Sequence, residues 1–319
     1  MSDRLQPAQQ PAETSTPAAA ASLAAGLAPS PMSTAPVGRV RHELIYVARH
    51  NTKLVIGAGL VLAMLVLALV GPFLTSQAPL AFGGDLQQAP SSAHWFGTTT
   101  NGQDVFSQFV YGLRASFIVG TLGGGLAALI GMLVGFVAGY RGGIIDEILT
   151  MLTNVVLVIP TLAVLITIAA YVTTRGFVTE AIFIGATSWP WAARAVRAQT
   201  FSLVSREFVD VARLSGRRSW KIIATEIAPN MSSYLLMMFI LLFGGAILIG
   251  ATLDFIGLGP SNAISLGLMM NNAVLWSALL LGTWWWFIPP GLGIVAIVGG
   301  LYVMNVGLDE VFNPRLREM

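Results

Sequence analysis

The chain has 319 residues, of which 55% are hydrophobic and only 10% charged, with a mean hydropathy of +0.74. This composition is far from the soluble average and reads as a membrane protein. Basic and acidic residues, 17 against 15, are too evenly matched to suggest a nucleic-acid partner, and the lack of cysteine excludes disulfides, thiolate metal sites and cysteine nucleophiles. His42, His50 and His94 stand apart from one another, so no metal site and no catalytic residue is expected.

Residues 1–38 are rich in Ala, Pro, Ser and Thr with almost no large apolar side chains, a composition that cannot offset the entropy of ordering, so a disordered tail is expected. The Ala-rich run at 18–28 lacks a basic flank and carries only Leu23 and Leu27 as strong apolar residues, which argues against a signal peptide. Crossing about 30 Å of hydrocarbon takes about 20 apolar residues. Candidate spans lie at 54–74, 115–140, 148–171, 179–195, 232–253 and 284–307. Pro190, Trp189 and Trp191 make the fourth the weakest. Gly131, Gly135 and Gly139 repeat every four residues and predict close helix packing; Trp284, Trp285 and Trp286 predict an interfacial aromatic belt.

Six spans put both termini on one side. Taking the tail, the turn near Arg141, the loop 194–230 and the C-terminus as cytoplasmic leaves only Arg114 and Arg175 of the basic residues outside. No ionisable residue falls in the middle of a span; Arg114, Arg194 and Asp254 sit at span ends. A carrier driven by its own proton or ion site is therefore disfavoured. The chain also has no G-x-x-x-x-G-K-[ST] loop and no H-E-x-x-H motif, so any energy for transport would come from another subunit.

The loop between the fourth and fifth spans reads SREFVDVARLSGRRSWKIIATEIAPN. Glu207 and Asp210 favour a helix start, Phe208, Val211, Ala212 and Ser215 fall at i, i+3, i+4 and i+7, and Gly216 ends the helix or admits a close partner. This loop is similar to the EAA loop of ABC-importer permeases: Asp210, Val211 and Ala212 stand for its acid-Ala-Ala triplet, with Gly216 and Pro229 at the expected spacing. Val211 replaces the central Ala, and Glu226 and Ala228 stand where Ile and Leu are common.

Further motifs resemble the second permease of the dipeptide/oligopeptide importer branch. HWFGTTTNGQDVFSQFVYGLRAS precedes the second span, with Thr99 in place of an Asp and Gln103 in place of an Arg. FIGLG follows at 255–259, where the family goes on to Pro-Ser-Trp-Gly and this chain has Ser265, Leu266 and Gly267; WWWFIPPGLGI and NPRLR close the chain.

The resemblance implies an all-α membrane protein with the six-helix type I ABC-importer permease fold in a prokaryotic plasma membrane. Its expected parts are a cytoplasmic tail (1–38), a first transmembrane helix with its lead-in (39–75), an extracytoplasmic loop (76–114) and a five-helix core (115–319) carrying the coupling loop at 194–230. Expected partners are a homologous permease, two ATPase subunits that bind ATP and Mg, and an extracytoplasmic solute-binding protein; the chain itself would hold no cofactor. Under this reading Glu207 and Asp210 make charged contacts with the ATPase, Ala212 and Gly216 permit close seating, Phe208 and Leu214 fill apolar hollows, and Ser215 belongs to the same coupling surface. The fifth span, with Tyr234, Met238 and Asp254, is the expected substrate path. Oligosaccharides or nickel are alternative cargoes, and a secondary transporter or channel is the alternative of another class.

Overall fold

A computed structural model describes residues 51–75, 77–83, 85–172 and 175–312; the expected tail, His42, His50 and the NPRLR motif lie outside them. Among these residues the protein is helical, and the one β-bridge, Thr98 with Asp104, belongs to no strand.

Helix α1 (Thr52–Leu74) starts where the Asn51 side chain accepts from the Leu54 amide. The same Asn51 side chain donates to the Gly307 carbonyl and to Glu310, joining the start of α1 to the end of the last helix. The second span is longer than expected. Asp104 caps it by accepting from the Ser107 amide, so α2 (Val105–Val119) begins about ten residues before the apolar run at 115. A π-helical turn (Gly120–Gly124) joins it to α3 (Gly125–Arg141), giving 37 continuous helical residues.

The expected third span is a bent pair, α4 (Gly143–Val158) and α5 (Thr161–Tyr171), at 76° to each other. Pro160, between them, has no N–H to continue the α4 ladder and clashes with the preceding turn. The fourth, α6 (Phe177–Val204), has the length of a span at 28 residues, but Pro190, Arg194, Arg197 and its Ser and Thr residues deny it the apolarity of one. Beyond residues 205–231 come α10 (Ser232–Phe255), the short α11 (Leu266–Leu275) and α12 (Trp284–Phe312). By length and composition four helices can cross a bilayer, and five if the bent pair counts as one.

The glycine repeat is a packing seam. A methyl group added at Gly131 would stand 2.5 Å from the Ala192 Cβ, and at Gly135 2.7 Å from the Ala193 carbonyl, so α3 and α6 touch backbone to backbone. Two larger clusters make the interior. One gathers α1, α2, α11 and α12 around Leu113, Leu266, Met269 and Trp286. The other joins α3, α6 and the N-terminal half of α10. The expected tryptophan belt divides accordingly: Trp284 is half exposed, Trp285 donates from Nε1 to the Thr98 carbonyl, and Trp286 is buried in the first cluster because the helical turn at 283–286 points it inward.

Candidate functional site

Residues 205–231 fold as a short helix followed by a turn-like return to α10. Helix α7 (Glu207–Leu214) carries Glu207 and Asp210 in its first turn and Arg213 in its last, each favourable to the helix dipole. Gly216 adopts φ +71, a conformation costly for other residues, while nothing lies within 4 Å of where its Cβ would be. Within this chain Gly216 ends α7, and the space beside it is open.

The inward face of α7 is not the stripe that the spacing suggested. Val209 and Ala212 are buried, with Phe208 packed beside them, whereas Val211 and Ser215 are exposed. At about 100° per residue the bundle has taken the stripe centred on Ala212, between Phe208 and Val209. Leu214 lies opposite that centre and is 88% exposed, and Val211 is 63% exposed. Glu207, Asp210 and Arg213 flank them in solvent, with Arg213 bonded to Asp210 at 3.1 Å and set over the Tyr140 ring of α3.

The return segment comprises α8 (Ser219–Ile222), a π-helical turn (Ile223–Ile227) and α9 (Ala228–Asn230). Ile222, Ile227 and Met231 point into the same cluster as Val209 and Ala212. Glu226, one of the departures from the family pattern, accepts from Arg217 at 2.6 Å and ties the end of the segment to the residue after Gly216.

That shared cluster also holds Met238, which is buried, and Tyr234, which packs against it. The first turns of α10 are thus continuous with the inner face of α7. Asp254 lies at the other end of α10, sixteen residues and about 24 Å away along the axis. It is buried, accepts from the Ser265 hydroxyl that also caps α11, and is crowded by the backbones of Gly259 and Gly267. Of the three expected path residues, two are therefore brought to the 205–231 segment and one is enclosed at the far end.

The sequence reading missed two features. Glu180 of α6 is turned inward against Gly250 of α10, close to Asp254; its signal was an acid inside the apolar run FVTEAIF. Arg197 and Arg194, assigned from sequence to the start of the loop, extend instead along α6 and bond to α4: Arg197 donates from Nε and Nη2 to the two carboxylate oxygens of Asp146, and Arg194 donates to Asn154 at 2.7 Å. Among the described residues no group of three or more metal-ligating side chains occurs.

Residues 131–318 match the family model described as "Binding-protein-dependent transport system inner membrane component". The chain is 32% identical over 271 residues to the dipeptide transport system permease protein DppC of Bacillus subtilis, covering 84% of each. It is 30% identical over 275 residues to the oligopeptide transport system permease protein OppC of the same species, covering 85% of this chain and 88% of that one. The DppC protein of Alkalihalophilus pseudofirmus is 28% identical over 271 residues, 84% of this chain and 88% of its own. Its all-helical membrane architecture and these matches agree with the four sequence motifs: the chain belongs to the family of binding-protein-dependent transport system inner membrane components and is a permease subunit rather than an ATP-hydrolysing one.

Proposed function

We propose that this chain is one of two homologous permease subunits of an ATP-driven ABC importer for peptides, coupled through residues 205–231 to two ATPase subunits that bind ATP and Mg. The names of its relatives support the peptide cargo. The observation that carries the coupling is the two-sidedness of α7. Its inner face is anchored in the bundle by Val209 and Ala212, while Leu214 and Val211 stand in solvent between Glu207, Asp210 and Arg213. A lone exposed Leu is ordinary, but two on the outer face of an eight-residue helix ringed by charge have the make-up of a docking knob.

The reading of the site changes accordingly. Ala212 and Phe208 serve the fold side, Leu214 and Val211 serve the partner side, and Glu207, Asp210 and Ser215 form the polar rim. A push on Leu214 is transmitted through Val209, Ala212, Ile222 and Ile227 to Met231 and Met238, because one close-packed cluster contains them all. In this reading the basic residues 206–221 face the cytoplasm with both termini, and a solute-binding protein delivers cargo from the opposite side.

Leu214→Asp in the assembled importer tests the coupling. Stimulation of ATP hydrolysis by the loaded binding protein is expected to fall to the unstimulated level, with the permease still inserted in the membrane; stimulation at the wild-type level overturns the docking role of α7.

A further inference from the structure

A groove runs between α4 and α6, and it is polar where the rest of α4 is apolar. On α4, Asp146, Thr150 and Asn154 follow one another at four-residue spacing, which puts them in one row on the helix face. Glu147 stands beside the first of them. The open groove, of about 530 Å³, is lined by Asp146, Glu147, Thr150, Asn154 and Arg197 together with apolar side chains of α4. A smaller cavity of about 180 Å³ adjoins it through Thr150, Asn154 and Arg197 and is also lined by Arg194. Around the row, Ile148, Met151, Val155 and Val158 are exposed.

The two arginines differ. Arg197 is committed to Asp146, whose two carboxylate oxygens accept from its Nε and Nη2. Arg194 is held only by the amide oxygen of Asn154, and no acid lies within ion-pair reach of it among the described residues. Its remaining N–H donors and the Asn154 NH2 group are left as a fork at one end of the groove, suited to a carboxylate. At the other end Glu147 is exposed and in no ion pair among the described residues. Seven residues separate Glu147 from Asn154, about 10 Å along the helix axis. An extended di- or tripeptide reaches about 7–10 Å from its ammonium to its carboxylate.

We propose that this groove binds short zwitterionic peptides on their way across, with the terminal carboxylate at Arg194 and Asn154 and the terminal ammonium at Glu147. The inference rests on the peptide-importer reading above and adds the chemical feature of the cargo that this chain itself recognises. A neutral oligosaccharide would leave both charges unused.

The test is uptake by the assembled importer in vesicles of trialanine, trialanine amide and N-acetyl-trialanine. Each variant is compared with wild type for each peptide, so that selection by the binding protein cancels. Arg194→Gln should lower the ratio of free peptide to amide uptake about tenfold, Arg194→Lys less, because it keeps the charge and loses the fork. Glu147→Gln should lower the ratio of free to N-acetylated peptide about threefold, with no change in the acid-to-amide ratio. Ratios equal to wild type in Arg194→Gln and Glu147→Gln, or equal losses for all three peptides, overturn the site. Wild-type vesicles that move none of the peptides refute the peptide-importer reading, and the groove proposal with it.

Discussion

Two long connections flank the helices, residues 75–104 and 205–231, and they are held by opposite means. The first is held mainly by hydrogen bonds, with Leu80 and Phe96 packed against the bundle. Thr98 and Thr99 are fully buried; Thr99 Oγ1 accepts from the amides of Asn101 and Gln103, and Gln103 in turn donates to the Leu80 carbonyl and accepts from Gln108. His94 pairs with Asp104 at 2.8 Å while Asp104 caps α2. The second connection is held by apolar side chains, Val209, Ala212, Ile222 and Ile227, and its polar groups face outward. A hydrogen-bonded knot fixes a loop in one geometry, because each donor left over costs free energy. An apolar face holds a helix to the bundle and leaves its other side free for a partner.

The departures from the family pattern follow the same division. In the first connection an Asp and an Arg of the pattern are both replaced by neutral residues, Thr99 and Gln103, which bond through the Thr99 hydroxyl to the Gln103 amide. In the second, Val211 adds apolar surface to the outer face of α7, and Glu226 gains Arg217 as its partner.

The sharpest way to break this comparison is Val209→Asp, which puts a carboxylate into the apolar anchor of α7. A loss on the order of 4 kcal/mol is expected, read as failure to recover folded, monodisperse protein from detergent extracts; recovery with wild-type thermal stability would refute the anchoring role. Thr99→Val keeps the shape and strands two amides, the Gln103 one buried, at a cost of about 1–3 kcal/mol, seen as a lowered detergent melting temperature with transport coupling retained. Arg217→Ala removes an ion pair whose Arg side chain is half exposed; at most about 1 kcal/mol is expected, and a larger drop in melting temperature would mean that the return segment depends on charge after all.

Much of the fold was legible in the sequence. The spans at 54–74, 232–253 and 284–307 reappear nearly unchanged as α1, α10 and α12, since uninterrupted apolar runs of that length have few other solutions. The start of the second span was not legible: its first ten residues, VFSQFVYGLR, mix polar and apolar types, and the cap that begins it rests on one Asp104 side chain. The site was legible in part. The helix at 207–214 and its stop at Gly216 followed from acids, periodicity and a glycine. Which stripe turned inward did not, because Phe208, Val209, Val211, Ala212 and Leu214 leave an eight-residue helix with apolar groups on nearly every side.

The sequence alone determined what depends on neighbours along the chain: the apolar lengths, the helix stop at Gly216 and the motif spacing that names the family. Only the tertiary structure decided what depends on neighbours across space. It put Trp286 inside and Trp284 outside, turned Leu214 away from the bundle, and brought Arg197 to Asp146 and Arg194 to Asn154, partners 51 and 40 residues apart. The reason is physical: a backbone preference or a hydrophobic run is a property of a segment, whereas a buried face or an ion pair exists only once a second segment has arrived to complete it.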